Sequence, residues 1–500
     1  MAELPYELWR AEQVRAFDRI AIEEQGIPGY RLMSRAGRAT WAAAAARWPR
    51  ARSVAVICGG GNNGGDGYVI ARLAQEAGLE VTLFHVGDPG RLHGDALTAA
   101  QAARKAGLES RPFEGDDLAG FDLLVDALLG TGLEGEVRGS ARAAIEAMNN
   151  AGRPVVAVDI PSGLHADTGA VLGVAVGAAV TVTFIGLKVG LFTGEGPDRA
   201  GEVVFHDLEV PAPVYQGARP AATRLVAARE LPAQLPRRRR TLHKGGAGHV
   251  LVIGGDTGLL GAVRMAGEAA ARSGAGLVSL ATRHTHAGLI AAACPFLMAH
   301  GVERGEDLAP LVERADVIAV GPGLGRELWG RTLLEVALAA ERPMVVDADA
   351  LNLIAEAPRR RSDWVLTPHP GEAARLLNGD VAAVQADRPG AAARLQQAYG
   401  GVCVLKGAGS VVQGATGEPP AIAVDGNPGM AVGGMGDLLT GVIAALIAQG
   451  LAPDLAARTG VALHAAAGDA AASEAGERGL VPTDMMPWLR RLANPEGGSE

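Results

Sequence analysis

Twice along this chain a short apolar run gives way to clustered glycines and then to a helical pattern. The first instance is SVAVICGGGNNGGDGYVIARLAQEAG and the second is HVLVIGGDTGLLGAVRMAGEAAARSGAG. Strand, glycine loop and helix in that order form the ligand-binding corner of a doubly wound α/β fold. Further strands are read at 81–86, 122–130, 154–163 and 180–185. In the second half they fall at HVLVI, GLVSLAT, ADVIAVGPG, PMVVDADAL, DWVLTPHPG and VCVLKGAGS. Strands alternating with helical patterns predict mostly parallel sheets. At 500 residues the chain is long for one core, so two domains are expected. Between Leu208 and Leu242 the periodicity fades and prolines gather (Pro211, Pro213, Pro220, Pro232, Pro236). That stretch reads as the joint, and the run Arg237 to Arg240 as solvated linker charge.

A net charge of −9 argues against nucleic acid as a partner. The three cysteines form no CxxC pair, so neither a disulfide framework nor a thiolate zinc site can be drawn, which fits a cytoplasmic protein. The opening MAELPYELW lacks the order of a signal peptide. Ala170 to Leu187 carries no charge until Lys188, but its glycines, threonines and alternating VTVTFI read as loop and strand, with no membrane span.

Candidate chemistry lies where strands end. VDGNPGMAVGGMGDLLTGVIAALIAQG (424–450) is a glycine loop that turns into an uncharged helix at Asp437. Free amides and a helix N-terminus there suit a phosphate. Asp437 reads either as a helix cap or as a base that activates a hydroxyl attacking a phosphoryl group. KGAGS (406–410) offers a lysine charge and free amides to an anion. Asp126 and Asp159 end strands of the first half and either face a ligand crevice or brace turns. Lys188 is a lone charge in an apolar stretch: a site residue or a snorkelling lysine. His369, between two prolines, is either a contact residue or structural. His284 and His286 lack a third metal partner and are set aside.

NPGMAVGGMGD resembles the phosphoryl-transfer motif of the ribokinase-like ADP/ATP-dependent NAD(P)H-hydrate dehydratases. The likeness extends over LPRRRRTLHKGGAGHV, GPGLG, VDADALN, LTPHPGE, LKGAGS and LHAAAGD. GGGNNGGDG, VDALLGTG, VDIPSGLHADTG and TFIGLKVGLF resemble the NAD(P)H-hydrate epimerase domain. Together they imply a Rossmann-like three-layer sandwich as an epimerase domain (1–215), a linker (216–227) and a ribokinase-like α/β sandwich as a dehydratase domain (228–495). The resemblance implies a potassium ion on Asn63, Asp126 and Ser162, an all-oxygen set suited to a hard cation. It puts the hydrated dinucleotide on Asn62, Asn63, Gly64, Gly65, Asp66, Gly130, Thr131, Gly132, Leu133, Glu134, Gly135, Glu136 and Asp159 in the first half. In the second half it does so on Ala262, Gly323, His369 and Asp437. The resemblance implies that Lys406, Gly407, Ala408, Gly409, Ser410 and Gly436 hold the nucleotide. The chain departs from the family pattern at Ser34, Val432 and Met435.

The implied substrates are NADHX and NADPHX, with ADP or ATP as phosphoryl donor, magnesium as its companion and a homo-oligomer as the assembly. Epimerisation loses and regains water at a hemiaminal carbon beside the ring nitrogen, and Asp159 and Lys188 are the candidate proton carriers. Dehydration has Asp437 deprotonate the hydroxyl, which accepts a phosphoryl group; phosphate then departs, with AMP or ADP as the other product. A hydride-transferring oxidoreductase is disfavoured, because neither half shows a clean GxGxxG with a distant ribose-binding acid, and two further alternatives remain at this stage. One is a small-alcohol kinase with a fused ligand-sensing domain, and the other makes the first half a non-catalytic binding module.

Overall fold

The runs SVAVIC (Ser53–Cys58) and LLVDA (Leu123–Ala127) are almost wholly apolar and buried along their length, as strands covered on both faces must be. In a computed structural model of the chain, describing residues 4–414 and 417–494, they are neighbours at the centre of a sheet. Residues 1–3 and 495, ends of the two expected domains, lie outside the described residues. The chain divides into two compact units, Met1–Thr223 and Arg224–Glu500.

The first unit holds a seven-stranded sheet. Its strands stand in the order Ser110–Pro112, Glu80–His85, Ser53–Cys58, Leu123–Ala127, Val155–Val158, Val180–Phe184, Glu202–His206. Every neighbouring pair is parallel. Alternate side chains go to opposite faces. Val54, Val56 and Val125 join one apolar core, and Ala55, Ile57 and Leu124 join another. Three layers result, and the strand order reverses between Ser53–Cys58 and Leu123–Ala127, where a doubly wound sheet opens a crevice. Tyr6 to Trp48, whose apolar spacing through Val14, Phe17, Ile20 and Ala21 is helical, begins with a strand, Glu7–Trp9. That strand pairs Leu8 with Ala222 and with Leu187, and Trp9 with Lys188. The helix Ala11–Glu23 follows directly.

The 216–227 stretch, expected as a linker, contains the strand Ala222–Leu225 and leads into the helix Ala227–Gln234. Only four residues of strand form, too few to give a period-2 signal amid prolines. Ala170–Leu187 ends in the strand Val180–Phe184, and among the described residues no helix is long and apolar enough to cross a membrane.

In the second unit seven parallel strands stand in the order Met298–Gly301, Leu277–Thr282, His249–Ile253, Val317–Val320, Met344–Val346, Trp364–Leu366, Val402–Leu405. Val411–Gln413 and Ala421–Ala423 extend it antiparallel. The helix Met435–Ala448 is buried from Leu438 to Ile447, as a helix apolar on every side must be. Gly441 lets it close onto Leu260–Arg272: a β-carbon there would lie 2.0 Å from the Ala266 carbonyl oxygen.

Candidate functional sites

At the reversal point of the first unit two loops meet. A β-carbon on Gly59 would lie 1.9 Å from the Leu128 carbonyl oxygen, so glycine alone permits the approach. The glycines of GGGNNGGDG do not all lie in the loop, because the helix already begins at Asn62 (Asn62–Glu76). Glycine's poor helix propensity hid that first turn, and packing overrides it. A cavity of about 1090 Å³ opens beside these loops; Asn62, Asn63, Asp66, 130–134, Asp159 and Lys188 all line it. Gly64, Gly65, Gly135 and Glu136 do not line it.

Asn63, Asp126 and Ser162 form one network. Asp126 is fully buried; its carboxylate accepts from the Ser162 hydroxyl (2.6 Å) and backbone N–H (2.8 Å) and from the Leu128 N–H (3.2 Å). Asn63 Nδ2 donates to the Leu129 carbonyl at 3.0 Å, and the Leu129 N–H donates to Ser162 Oγ at 2.8 Å. Burial pushes the Asp126 carboxyl up to about 6, against the pull of its hydrogen bonds.

Asp159 follows the strand Val155–Val158 with φ 67°, in the left-handed region that non-glycine residues rarely occupy. Its Oδ1 accepts from Lys188 Nζ, from the Phe184 N–H (3.2 Å) and from Thr183 Oγ1 (3.3 Å). Lys188 is fully buried, and its ammonium also donates to Thr183 Oγ1 and to the Phe184 carbonyl, both at 3.0 Å. Two more acids face this pair. Burial first, then the Asp159 charge, pushes Asp18 up to about 6, with Lys188 opposing. Asp66 is raised well above the carboxylate range by burial, then by Asp159 and Asp18.

The second cluster joins strand ends of the second unit. Asp347 follows Met344–Val346 and Lys406 follows Val402–Leu405. Lys406 Nζ donates to Asp347 Oδ1 at 2.6 Å, and Thr440 Oγ1 donates to Asp347 Oδ2 at 2.8 Å. Burial would raise Asp347, but Lys406 holds it below the usual range. Glu372 Oε2 is 4.0 Å from the same ammonium, and burial pushes its carboxyl up to about 7. A β-carbon on Gly436 would stand 3.1 Å from Lys406 Nζ, so the first turn of the helix Met435–Ala448 passes directly over this ion pair.

Asp437 lies in the first turn of Met435–Ala448, but the residue at the cap position is Gly434, and no side chain caps the helix. Among the described residues its carboxylate takes part in no hydrogen bond. Burial, then the Asp347 charge, pushes it up to about 7, with Lys406 pulling the other way. His369 caps a different helix, Pro370–Leu376: its Nδ1 accepts from the Gly371 N–H (2.9 Å) and the Glu372 N–H (3.4 Å). Burial and then Lys406 lower its affinity for a proton, so the ring is neutral with its remaining hydrogen on Nε2. Gly323 abuts Ala262, since a β-carbon there would lie 3.2 Å from that of Ala262. Ser410 Oγ closes the KGAGS turn on the Gly407 N–H (3.2 Å) and carbonyl (3.0 Å).

Residues 29–190 match the family described as YjeF-related protein N-terminus, and residues 250–491 the family described as NAD(P)H-hydrate dehydratase. The chain is 48% identical over 488 residues to the bifunctional NAD(P)H-hydrate repair enzyme Nnr of Coxiella burnetii, covering 98% of this chain and 99% of that protein. To the enzyme of the same name from Escherichia coli it is 45% identical over 495 residues, 99% of this chain and 95% of that one. The chain belongs to the bifunctional NAD(P)H-hydrate repair enzymes.

Each unit thus carries one of the two clusters. Sequence reasoning missed Asp18, Asp347, Glu372 and Thr440. Asp347 and Glu372 sit inside VDADALN and LTPHPGE, so a second acid beside the assigned lysine was the available signal. Asp18 follows Val14 by four residues, which puts a carboxylate on a face that also carries an apolar side chain.

Proposed function

We propose that the first unit interconverts the R and S epimers of hydrated NADH and NADPH. The second removes water from the S epimer with ADP or ATP as phosphoryl donor, releasing phosphate with AMP or ADP. Asp437 carries this reading: a carboxylate that caps nothing and is held near neutrality beside a glycine loop and a buried lysine. Such a group takes a proton readily at neutral pH and can hand it on. In the reaction Asp437 receives the ring hydroxyl's proton as the oxygen bonds to phosphorus and the bond to the nucleotide breaks. The ring nitrogen's lone pair then expels phosphate to give a C=N⁺ bond, the neighbouring ring carbon gives up a proton to solvent as the C=C bond forms and the nitrogen regains its pair, and the dihydronicotinamide is restored. Lys406 and the amides of 407–410 face the phosphates, and Asp347 fixes the lysine head. Ala262, Gly323 and the His369 Nε2–H are assigned to the hydrated dinucleotide. In the first unit that substrate is assigned to Asn62, Asn63, Asp66, 130–134 and Asp159.

The donor set of Asn63, Asp126 and Ser162 fits potassium, being all oxygen around a buried carboxylate with no basic partner. There the ion supplies positive charge to Asp126. No group of three or more His, Cys, Asp or Glu among the described residues could hold a metal, so no step is assigned to magnesium, which enters with the nucleotide. The three buried free thiols support a cytoplasmic setting. A homo-oligomer is also part of this proposal, to be read by sedimentation.

The test is stoichiometry: NADH regained from S-NADHX should match inorganic phosphate released, mole for mole. A persisting phosphorylated product with no free phosphate would replace this reading with the small-alcohol kinase.

A further inference from the structure

Epimerisation at a hemiaminal carbon needs one group to give a proton to the departing hydroxyl and another to take one from the incoming water. Lys188 is poorly placed for either task. Its three ammonium hydrogens are directed at Asp159 Oδ1, Thr183 Oγ1 and the Phe184 carbonyl, and its side chain has no exposure. Giving up a proton would break one of these bonds and leave Asp159 without its cation. The same contacts load Asp159 on Oδ1 alone and leave Oδ2 without a hydrogen bond among the described residues, in a residue that lines the cavity.

Asp18 lines the same cavity from another element. Strand pairing explains why it reaches there. Trp9 is paired with Lys188, and the helix Ala11–Glu23 starts two residues later. The helix buries Val14, Phe17 and Ala21 in the core, while Val14, Asp18 and Ile22 face the cavity at i+4 spacing. Among the described residues Asp18 makes no hydrogen bond and no ion pair. The basic neighbour Arg15 donates instead to the Thr131 carbonyl at 3.3 Å. The titratable and charged groups around Asp18 are Asp159, Lys188, Asp66 and Tyr215, with Glu12, Arg15 and Arg19 on its own helix and Asp95 and Glu134 on the same cavity wall.

We propose that Asp18 is the general acid of the epimerase site, with Asp159 as the base and Lys188 as a positioning residue that acts through Asp159. This rests on the epimerase reading above. Two carboxyls on one cavity, one paired with a buried lysine and the other without a partner among the described residues, divide the two roles between them. Asp18 gives its proton to the ring hydroxyl oxygen, the carbon–oxygen bond breaks, and the nitrogen lone pair forms the C=N⁺ bond as water leaves. Water adds to that carbon from the opposite face, the nitrogen regains its pair, and Asp159 Oδ2 accepts the released proton. Transfer of one proton from Asp159 to Asp18 through solvent in the cavity resets the site.

The test uses the full chain, with the rate of R to S conversion of NADHX read by the epimer ratio in the absence of nucleotide. Asp18→Asn should lower kcat by about 10²- to 10⁴-fold with KM little changed. The wild-type rate should fall as pH rises past about 6, where Asp18 loses its proton, and Asp18→Asn should lose that descending limb. Asp18→Glu, which keeps the acid, should restore part of the rate and the limb. If Asp18→Asn fails to fold, the Asp18→Glu profile decides: a reduced rate whose descending limb has moved from the wild-type position supports the proposal, and a rate and profile unchanged from wild type overturn it. An Asp18→Asn rate equal to wild type with the same profile also overturns it and leaves the epimerase reading standing. Absence of epimerisation in the wild-type chain removes the epimerase reading itself.

Discussion

Replacing Asp437 with Asn should sharply slow dehydration and stabilise the second unit, and both effects follow from one carboxyl. Folding raises its proton affinity from 3.8 to about 7, chiefly by burial. As pH rises from 3.8, the unfolded chain releases this proton before the folded one does. The wild type therefore loses stability steadily until about pH 7, above which the loss is constant. A shift of roughly three units corresponds to about 4 kcal/mol, and partial solvent access reduces this to about 2 to 4. Asparagine of the same shape has no such charge to bury. The variant should gain that amount at pH 8, and the gain should vanish below about pH 4. Loss of the base should cost about 10²- to 10⁴-fold in NADH recovered from S-NADHX, or about 3 to 5 kcal/mol in the barrier. Calorimetry of the full chain reads the stability, using the transition that ADP shifts upward to identify the second unit. A variant no more stable than wild type at pH 8, or a gain that persists unchanged into acid, would refute the burial argument. Normal turnover would refute the base.

Lys406→Met leaves Asp347 buried without its cation, and denaturant unfolding of the second unit should show a loss of about 3 to 5 kcal/mol. Replacing potassium by a large organic cation should slow epimerisation and leave dehydration unaffected, because the oxygen set lies wholly in the first unit; equal slowing of both would count against that site. Gly59→Ala drives a β-carbon to 1.9 Å from the Leu128 carbonyl oxygen, so epimerisation should be lost with a lowered first-unit transition, while an unaffected variant would show that the two loops can part.

The parallel sheets were legible because their strands are continuous apolar runs ending in glycine or acid, as at Cys58–Gly59 and Val158–Asp159. Asp159 and Lys188 could be singled out as a strand-end acid and a lone charge in an apolar stretch. Their mutual bond, which ties up the lysine, depends on the chain folding back over Thr183 and Phe184. The helix start at Asn62 was obscured because glycines NNGGDG carry a loop signal that packing overrules. Glu7–Trp9 is three residues long, too short to show a period. Asp18 acquires meaning only through that strand's pairing beside Lys188, a contact between residues far apart in sequence. Asp437 read equally as cap or base until Gly434 was seen to occupy the cap position.

The measurement that bears most directly on the two-activity account mixes R- and S-NADHX with the full chain, ADP and Mg²⁺, and follows the return of NADH absorbance. The account predicts complete conversion of both epimers, with the R form consumed through the S form. Conversion that stops when the S form is exhausted would contradict the first unit's role, and no NADH from either epimer, with ADP or ATP, would contradict the account as a whole.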